Sequence, residues 1–266
     1  MTMMLDNGIV ALRIEPGFGA RVTSLRDLRT GREWLVQGPA TGDASDRASY
    51  LGTEARGWDE CFPTVAPCTH PAYGAMRDHG ALWGRPWTDR GDGWLARKGD
   101  GFSFARRLSL SDACVTAEYE LSSVSDAPMD WMWSQHCLLD ARPGARLELS
   151  GIGPLNRADV PREIARDGTV LKTYGPAAGP ASAGLSGADG SIRFEWSGDQ
   201  IAHFGLWLDF GGWPEAEPVH QVALEPTTAP ADHLVAAGAA TQRLAPGETR
   251  RWQVNIQLDA GERKEA

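Results

Sequence analysis

No stretch of this sequence approaches the roughly 20 consecutive apolar residues that a membrane-spanning helix needs. Its start, Met1 to Ile14, lacks the basic region, apolar run and small-residue cleavage site of a secretion signal. The expectation is a cytoplasmic protein with no membrane partner. No basic stripe rises from the acidic background, where the net charge is -9, and this argues against a nucleic-acid partner. Long runs of Ala, Leu, Glu and Lys at helical spacing are also missing. In their place stand 31 glycines and 17 prolines, a composition that favours short strands joined by many turns.

The usual catalytic signatures are absent too. There is no G-x-S-x-G, no P-loop and no G-x-G-x-x-G opening a helix, so serine hydrolases, nucleotide hydrolases and dinucleotide enzymes lose their marks. Cysteines 61, 68, 114 and 137 form no C-x-x-C pair. In a reducing compartment they read as free thiols, with Cys137 in an apolar strand as plain core. A zinc site built from Cys61, Cys68, His70 and His79 would match no compact zinc motif, so no metal is expected.

What is present is strand periodicity. Val10, Leu12 and Ile14 alternate with polar neighbours, Arg21–Asp27 follows a turn, and Glu33–Val36 completes an opening meander. Alternation returns at Gly93–Lys98, Phe102–Leu110 and Ala113–Ser122, where Val115, Ala117, Tyr119 and Leu121 share one face. Met129–Leu139 reads as one strand, with Trp131, Trp133, Gln135 and Cys137 opposite Met132, Ser134, His136 and Leu138. Further strands are predicted at 191–196, 204–209, 219–225 and 251–258, the last with Trp252, Val254, Ile256 and Leu258 on one face. The region 151–190 is rich in Gly, Ala, Pro and Ser; 169–174 reads as strand and 157–166 as a helical turn. Strand-helix-strand alternation is missing, as is any convincing linker. A single domain over 1–266 follows, all-β, built as a large antiparallel β-sandwich.

Two segments depart from this regularity. The section from Gly38 to Tyr50 is small and polar, a loop. From Leu51 to Trp87 no period holds, and Pro63, Pro67, Pro71 and Pro86 argue against a long helix or a central strand. Here Gly57–Trp87 gathers Asp59, Glu60, Arg77, Arg85, His79, Trp58, Trp83 and Trp87. Charged partners for hydroxyls and flat aromatic faces for a ring are what a sugar-sized ligand requires, so this loop is expected to be ordered and ligand-facing.

Two residues elsewhere stand out. Glu225 follows apolar Val222 and Leu224 and precedes Pro226; it is either a strand-end carboxylate in solvent or a general base in a desolvated cleft. His136, midway along an aromatic strand, is either a hydrogen-bonded core residue or an acid paired with such a base. A two-carboxylate glycosidase using Asp59 or Glu60 with Glu225 is also formally open.

The run Gly57-Trp58-Asp59-Glu60-Cys61-Phe62-Pro63-Thr64, then Asp78-His79-Gly80-Ala81-Leu82-Trp83, then Gln135-His136, then Leu224-Glu225-Pro226-Thr227 with Ala229-Pro230-Ala231-Asp232-His233-Leu234, resembles the aldose 1-epimerase (galactose mutarotase) superfamily. The likeness follows the chain in order over nearly its whole length and is similar to a short, divergent bacterial branch. It implies a β-supersandwich and a cofactor-free isomerase of carbohydrate metabolism. By that resemblance Glu225 takes the proton from a sugar's anomeric hydroxyl, His136 protonates the ring oxygen, and ring closure on the other face gives the opposite anomer. His79 would orient the sugar, Arg77 would bind it, Asp209 or Asp59 would be the binding aspartate, and Trp83 would lie against it. The implied partner is a small-molecule sugar, and the implied state a monomer or homodimer. Arginines 56, 77 and 85 around the loop leave a phosphorylated or sulfonated sugar open; a sugar-binding domain of the same fold that has lost activity is the other alternative.

Overall fold

The computed structural model describes residues 2–38, 50, 55–215 and 218–261. The interior of the loop expected at Gly38–Tyr50, and 51–54 at the start of the next, lie outside the described residues. The strands in chain order are β1 (Met3–Asp6), β2 (Val10–Glu15), β3 (Arg21–Asp27), β4 (Arg32–Glu33), β5 (Gly57–Cys61), β6 (Cys68–His70), β7 (Gly74–Met76), β8 (Thr88–Gly91), β9 (Trp94–Gly99) and β10 (Phe102–Ser111). They continue as β11 (Cys114–Ser123), β12 (Met129–Trp131), β13 (Ser134–Asp140), β14 (Arg146–Ile152), β15 (Val170–Gly187), β16 (Gly190–Ser197), β17 (His203–Phe210), β18 (His220–Thr227), β19 (Gln242–Leu244) and β20 (Thr249–Asp259). Helix among the described residues amounts to two single 3-10 turns, Leu234–Ala236 and Gly238–Ala240, and none is long and apolar enough to cross a membrane.

One antiparallel sheet runs β1-β2-β3-β5-β13-β18-β17-β15-β16-β20-β11-β10-β9-β8, with β4 beside β3 and β14 beside β15. It folds over on itself at β15. Val170–Pro176 of that strand pairs with β17, whereas Pro180–Gly187 pairs with β16. One strand therefore belongs to both layers, and the result is the antiparallel β-sandwich expected from the composition. Aromatic contacts hold the layers together: Trp133 at the head of β13 lies 4.8 Å from Tyr119 of β11 and 5.2 Å from Trp252 of β20, centroid to centroid. Each such ring buries enough apolar surface to contribute about 1.5–3 kcal/mol.

The amphipathic strands lie where alternation puts them. Val115, Ala117, Tyr119 and Leu121 are buried on β11, as are Trp252, Val254, Ile256 and Leu258 on β20, and Cys137 is core. Three expectations need correction. Gly57–Cys61 is not loop but a fully buried strand between β3 and β13; Pro63 follows its end and so removes no ladder hydrogen bond from it. The expected single strand Met129–Leu139 is broken at Met132-Trp133 into β12 and β13, which pair with different partners. The helical turn at 157–166 does not form, and the Gly/Ala/Pro-rich stretch beyond it is the 18-residue β15. Small side chains suit a strand that must bend from one layer into the other.

Candidate active site

The register of the central strands creates the site. His136 lies directly opposite Asp59 of β5. On its other side, the pairs Ser134↔Thr227 and Leu138↔Ala223 bracket Glu225 opposite His136. Glu225 in turn pairs with Gly205 of β17, and Gly205 with Tyr174 of β15. Because side chains directly across a ladder share a face, Asp59, His136, Glu225 and Tyr174 form one row on the outer face of the layer. Glu60, Gln135 and Leu224 point through to the sandwich core.

Of that row His136 lines a cleft of about 220 Å³, together with Tyr50, Asp78, His79, Lys172, Trp207, Trp213, Gln221 and Asp232 among others. His136 Nε2 stands 3.6 Å from Glu225 Oε1. Neither Glu225 Oε1 nor His136 Nδ1 has a hydrogen-bond partner, although Glu225 is fully buried and His136 is 8 % exposed. Glu225 Oε2 receives the Lys172 ammonium and, at 3.5 Å, the Ser134 hydroxyl. Burial pushes the Glu225 carboxyl above its ordinary value, opposed by the Lys172 charge. It also holds the His136 imidazole well below its own, with His79 and Lys172 adding to the effect. The carboxyl and the imidazole are thus drawn toward each other in proton affinity.

His79 reaches the same cleft from the segment after β5. Its Nδ1 lies 2.8 Å from Asp78 Oδ1; since a carboxylate only accepts, Nδ1 carries a proton, and Nε2 stands without a partner. The ring is stacked on Tyr50 at 3.7 Å and lies 4.8 Å from His136. The backbone turns sharply here: His79 has φ 55° and Gly80 φ 70°, and a Cβ on Gly80 would come within 2.0 Å of the Phe62 carbonyl oxygen. Only glycine fits there.

The other expected binding residues stand behind the cleft, not in its lining. Arg77 donates to the carbonyls of Gly80 (3.3 Å) and Trp83 (2.6 Å) and lies over the Trp83 ring, so it braces the turn that carries His79. Trp83 is fully buried and packs edge-on to Tyr50 at 5.2 Å. Asp59 Oδ2 receives Arg21 Nε at 2.9 Å and the Tyr50 hydroxyl at 3.0 Å, which fixes Tyr50 under His79. Asp209 Oδ1 accepts the backbone N–H groups of Gly211, Gly212 and Trp213 at 3.0–3.2 Å, a turn that sets Trp213 at the cleft. Sequence reasoning missed Lys172, Asp232, Tyr50, Trp207 and Trp213 as lining residues. Asp232 and Trp207 sat within segments already singled out, but nothing in the pattern of β15 marked Lys172. Among the described residues no group of three or more His, Cys, Asp or Glu converges as metal ligands would.

The architecture has solved counterparts. The Slr1438 protein of Synechocystis sp. PCC 6803 superposes with a TM-score of 0.74 at 18% identity, over 98% of this chain and 96% of that one. A galactose mutarotase related enzyme from Lactobacillus acidophilus gives 0.72 at 14% identity, covering 97% of each chain. A galactose mutarotase-like protein from Clostridium acetobutylicum gives 0.72 at 12%, over 97% and 95%. No family model matches the sequence, and no curated protein does. The chain has the galactose mutarotase-like β-sandwich fold.

Proposed function

We propose that this protein is an aldose 1-epimerase that interconverts the anomers of a free aldose. The observation that carries the reading is the His136–Glu225 pair: an imidazole that lines a cleft together with Trp207 and Trp213, and, 3.6 Å from it on the neighbouring strand, a fully buried carboxylate, each with an unpartnered atom. Buried polar groups left without partners are costly, and a ligand carrying hydroxyls would satisfy them. Glu225 Oε1 takes the proton of the anomeric hydroxyl. The bond from the anomeric carbon to the ring oxygen breaks as the carbonyl forms, and His136, as imidazolium, gives its proton to the released oxygen. Rotation of the aldehyde and the reverse transfers close the other anomer, returning both groups to their starting state. His79 Nε2 hydrogen-bonds a further sugar hydroxyl, and the tryptophans offer a platform for the ring. The fold shared with a galactose mutarotase related enzyme supports the same reading.

A neutral aldose has more support than an anionic one. Arg77 is engaged with two carbonyls, arginines 56, 77 and 85 are not among the cleft-lining residues, and the Lys172 ammonium is engaged with Glu225. A glycosidase pair fits poorly, because Glu60 points to the opposite face of the sheet from Glu225 and Asp59 is held by Arg21 and the Tyr50 hydroxyl behind the cleft lining. Exchange NMR or polarimetry on a panel of aldoses tests the proposal. Glu225→Gln and His136→Asn should each lose about 10² to 10⁴ in rate, the usual worth of a positioned acid or base; wild-type rates in both variants on every sugar would overturn it.

A further inference from the structure

We infer that Lys172 is a positioning residue for Glu225: its ammonium grips Oε2, so that Oε1 alone is left facing His136. The inference rests on the reading in which Glu225 is the base. Lys172 lies on β15, two strands from Glu225, and by register it sits opposite Trp207, one row off the His136–Glu225 line. It reaches the carboxylate because the intervening residue in the Glu225 row is Gly205. A Cβ on Gly205 would stand 2.9 Å from Glu225 Oε2, the oxygen that the lysine holds, and 3.1 Å from the Tyr174 ring. On its far side the ammonium lies 3.9 Å from Asp232 Oδ1, which accepts the Tyr174 hydroxyl at 2.5 Å. Lysine, two carboxylates and a phenol thus make one connected group along the cleft wall.

Stability alone is a weak reason to keep such a pair. Removing two charges from water costs about as much as their attraction returns, and apolar residues of similar volume often do as well. The effect on Glu225 is specific. The titratable and charged groups facing it are Lys172 and Tyr174 from β15, His136 from β13, Cys61 from β5, Asp232 from the segment after β18, and His79 from the segment after β5. Of the basic groups among these, Lys172 is the one hydrogen-bonded to the carboxylate. Its own pKa is raised: burial works against the ammonium, but the charges of Glu225 and Asp232 outweigh it. The Lys172 charge opposes the burial that raises Glu225 and adds to the burial that lowers His136. Removing it should therefore move both groups upward together.

The test is kcat/KM against pH for anomer exchange in wild type, K172M and K172R. The acid and alkaline limbs of K172M should both shift to higher pH, by about one to three units for loss of an opposite or like charge at this range, while K172R keeps the wild-type limbs. A K172M profile that falls in height without moving would overturn the inference; if K172M does not fold, K172Q takes its place with the same two outcomes. A second readout needs no turnover: the carboxyl ¹³C titration of Glu225 in ¹³C-glutamate-labelled protein, assigned with E225Q. Its midpoint should rise in K172M, and an unmoved midpoint overturns the inference. Failure of wild type to act on any sugar would instead sink the catalytic reading and leave the titration result standing.

Discussion

Two buried glutamates on the two faces of one layer, Glu60 and Glu225, are treated in opposite ways. Glu60 on β5 is saturated: Oε1 accepts from Trp58 Nε1 (3.0 Å), Arg106 Nη1 (2.9 Å) and the Tyr119 hydroxyl (3.0 Å), and Oε2 from Trp133 Nε1 (2.8 Å). Glu225 keeps one oxygen without any donor. Burial raises both carboxyls, so depth does not distinguish them. Satisfaction does. A complete shell of donors leaves nothing for a ligand to do, and Glu60 ties β5 to β11 and to the head of β13. An incomplete shell beside a cleft leaves a site at which a ligand gains free energy.

The largest effect that would break this comparison concerns the saturated centre. Arg106→Met strands the Glu60 charge in the core, and denaturant unfolding should show a loss of about 3–5 kcal/mol, as for other buried pairs that lose one partner. A loss below ~1 kcal/mol would mean that Glu60 is not the structural member. A smaller effect sharpens the cleft side. Asp209→Asn weakens the charge-assisted bonds that fix the turn before Trp213, so KM should rise by roughly two- to tenfold with kcat held; a fall in kcat at constant KM would contradict a role in placing Trp213. Smaller again, Tyr50→Phe removes the hydroxyl bond to Asp59 and should cost about 0.5–1.5 kcal/mol of stability. The mildest probe is pH. The acid in the proposed mechanism is imidazolium, and burial holds its pKa well below the ordinary value. It follows that kcat/KM should fall as pH rises through a midpoint below the usual ~6.5 of histidine. An alkaline limb above 7 would show that His136 is not the proton donor.

How far the sequence revealed this depended on how many faces of a strand are buried. On β2, β11 and β20 one face meets the core and the other is at least partly wet, so alternation marks them with little shift in their ends. β5, β13 and β18 are buried on both faces, because Tyr50, His79 and Trp83 pack over the outer face. Their alternation is erased, and β5 was hidden further by the prolines after it. His136 and Glu225 were conspicuous for the same reason: ionisable groups in strands with no wet face. Arg77, Asp59, Asp209 and Trp83 were legible as residues near the ligand region, but sequence could not distinguish a side chain that lines the cleft from one that braces its lining. Lys172 was hidden because only register and the gap at Gly205 bring it to Glu225.

The most direct test sets the two glutamate centres against each other in one assay. Anomer exchange is measured by NMR for wild type, E225Q and R106M, on the aldose that wild type accelerates most, at a temperature where all three are folded. E225Q should fall to near the uncatalysed rate while R106M, though less stable, keeps the wild-type rate. An E225Q as fast as wild type, or an R106M as slow as E225Q, would contradict the account.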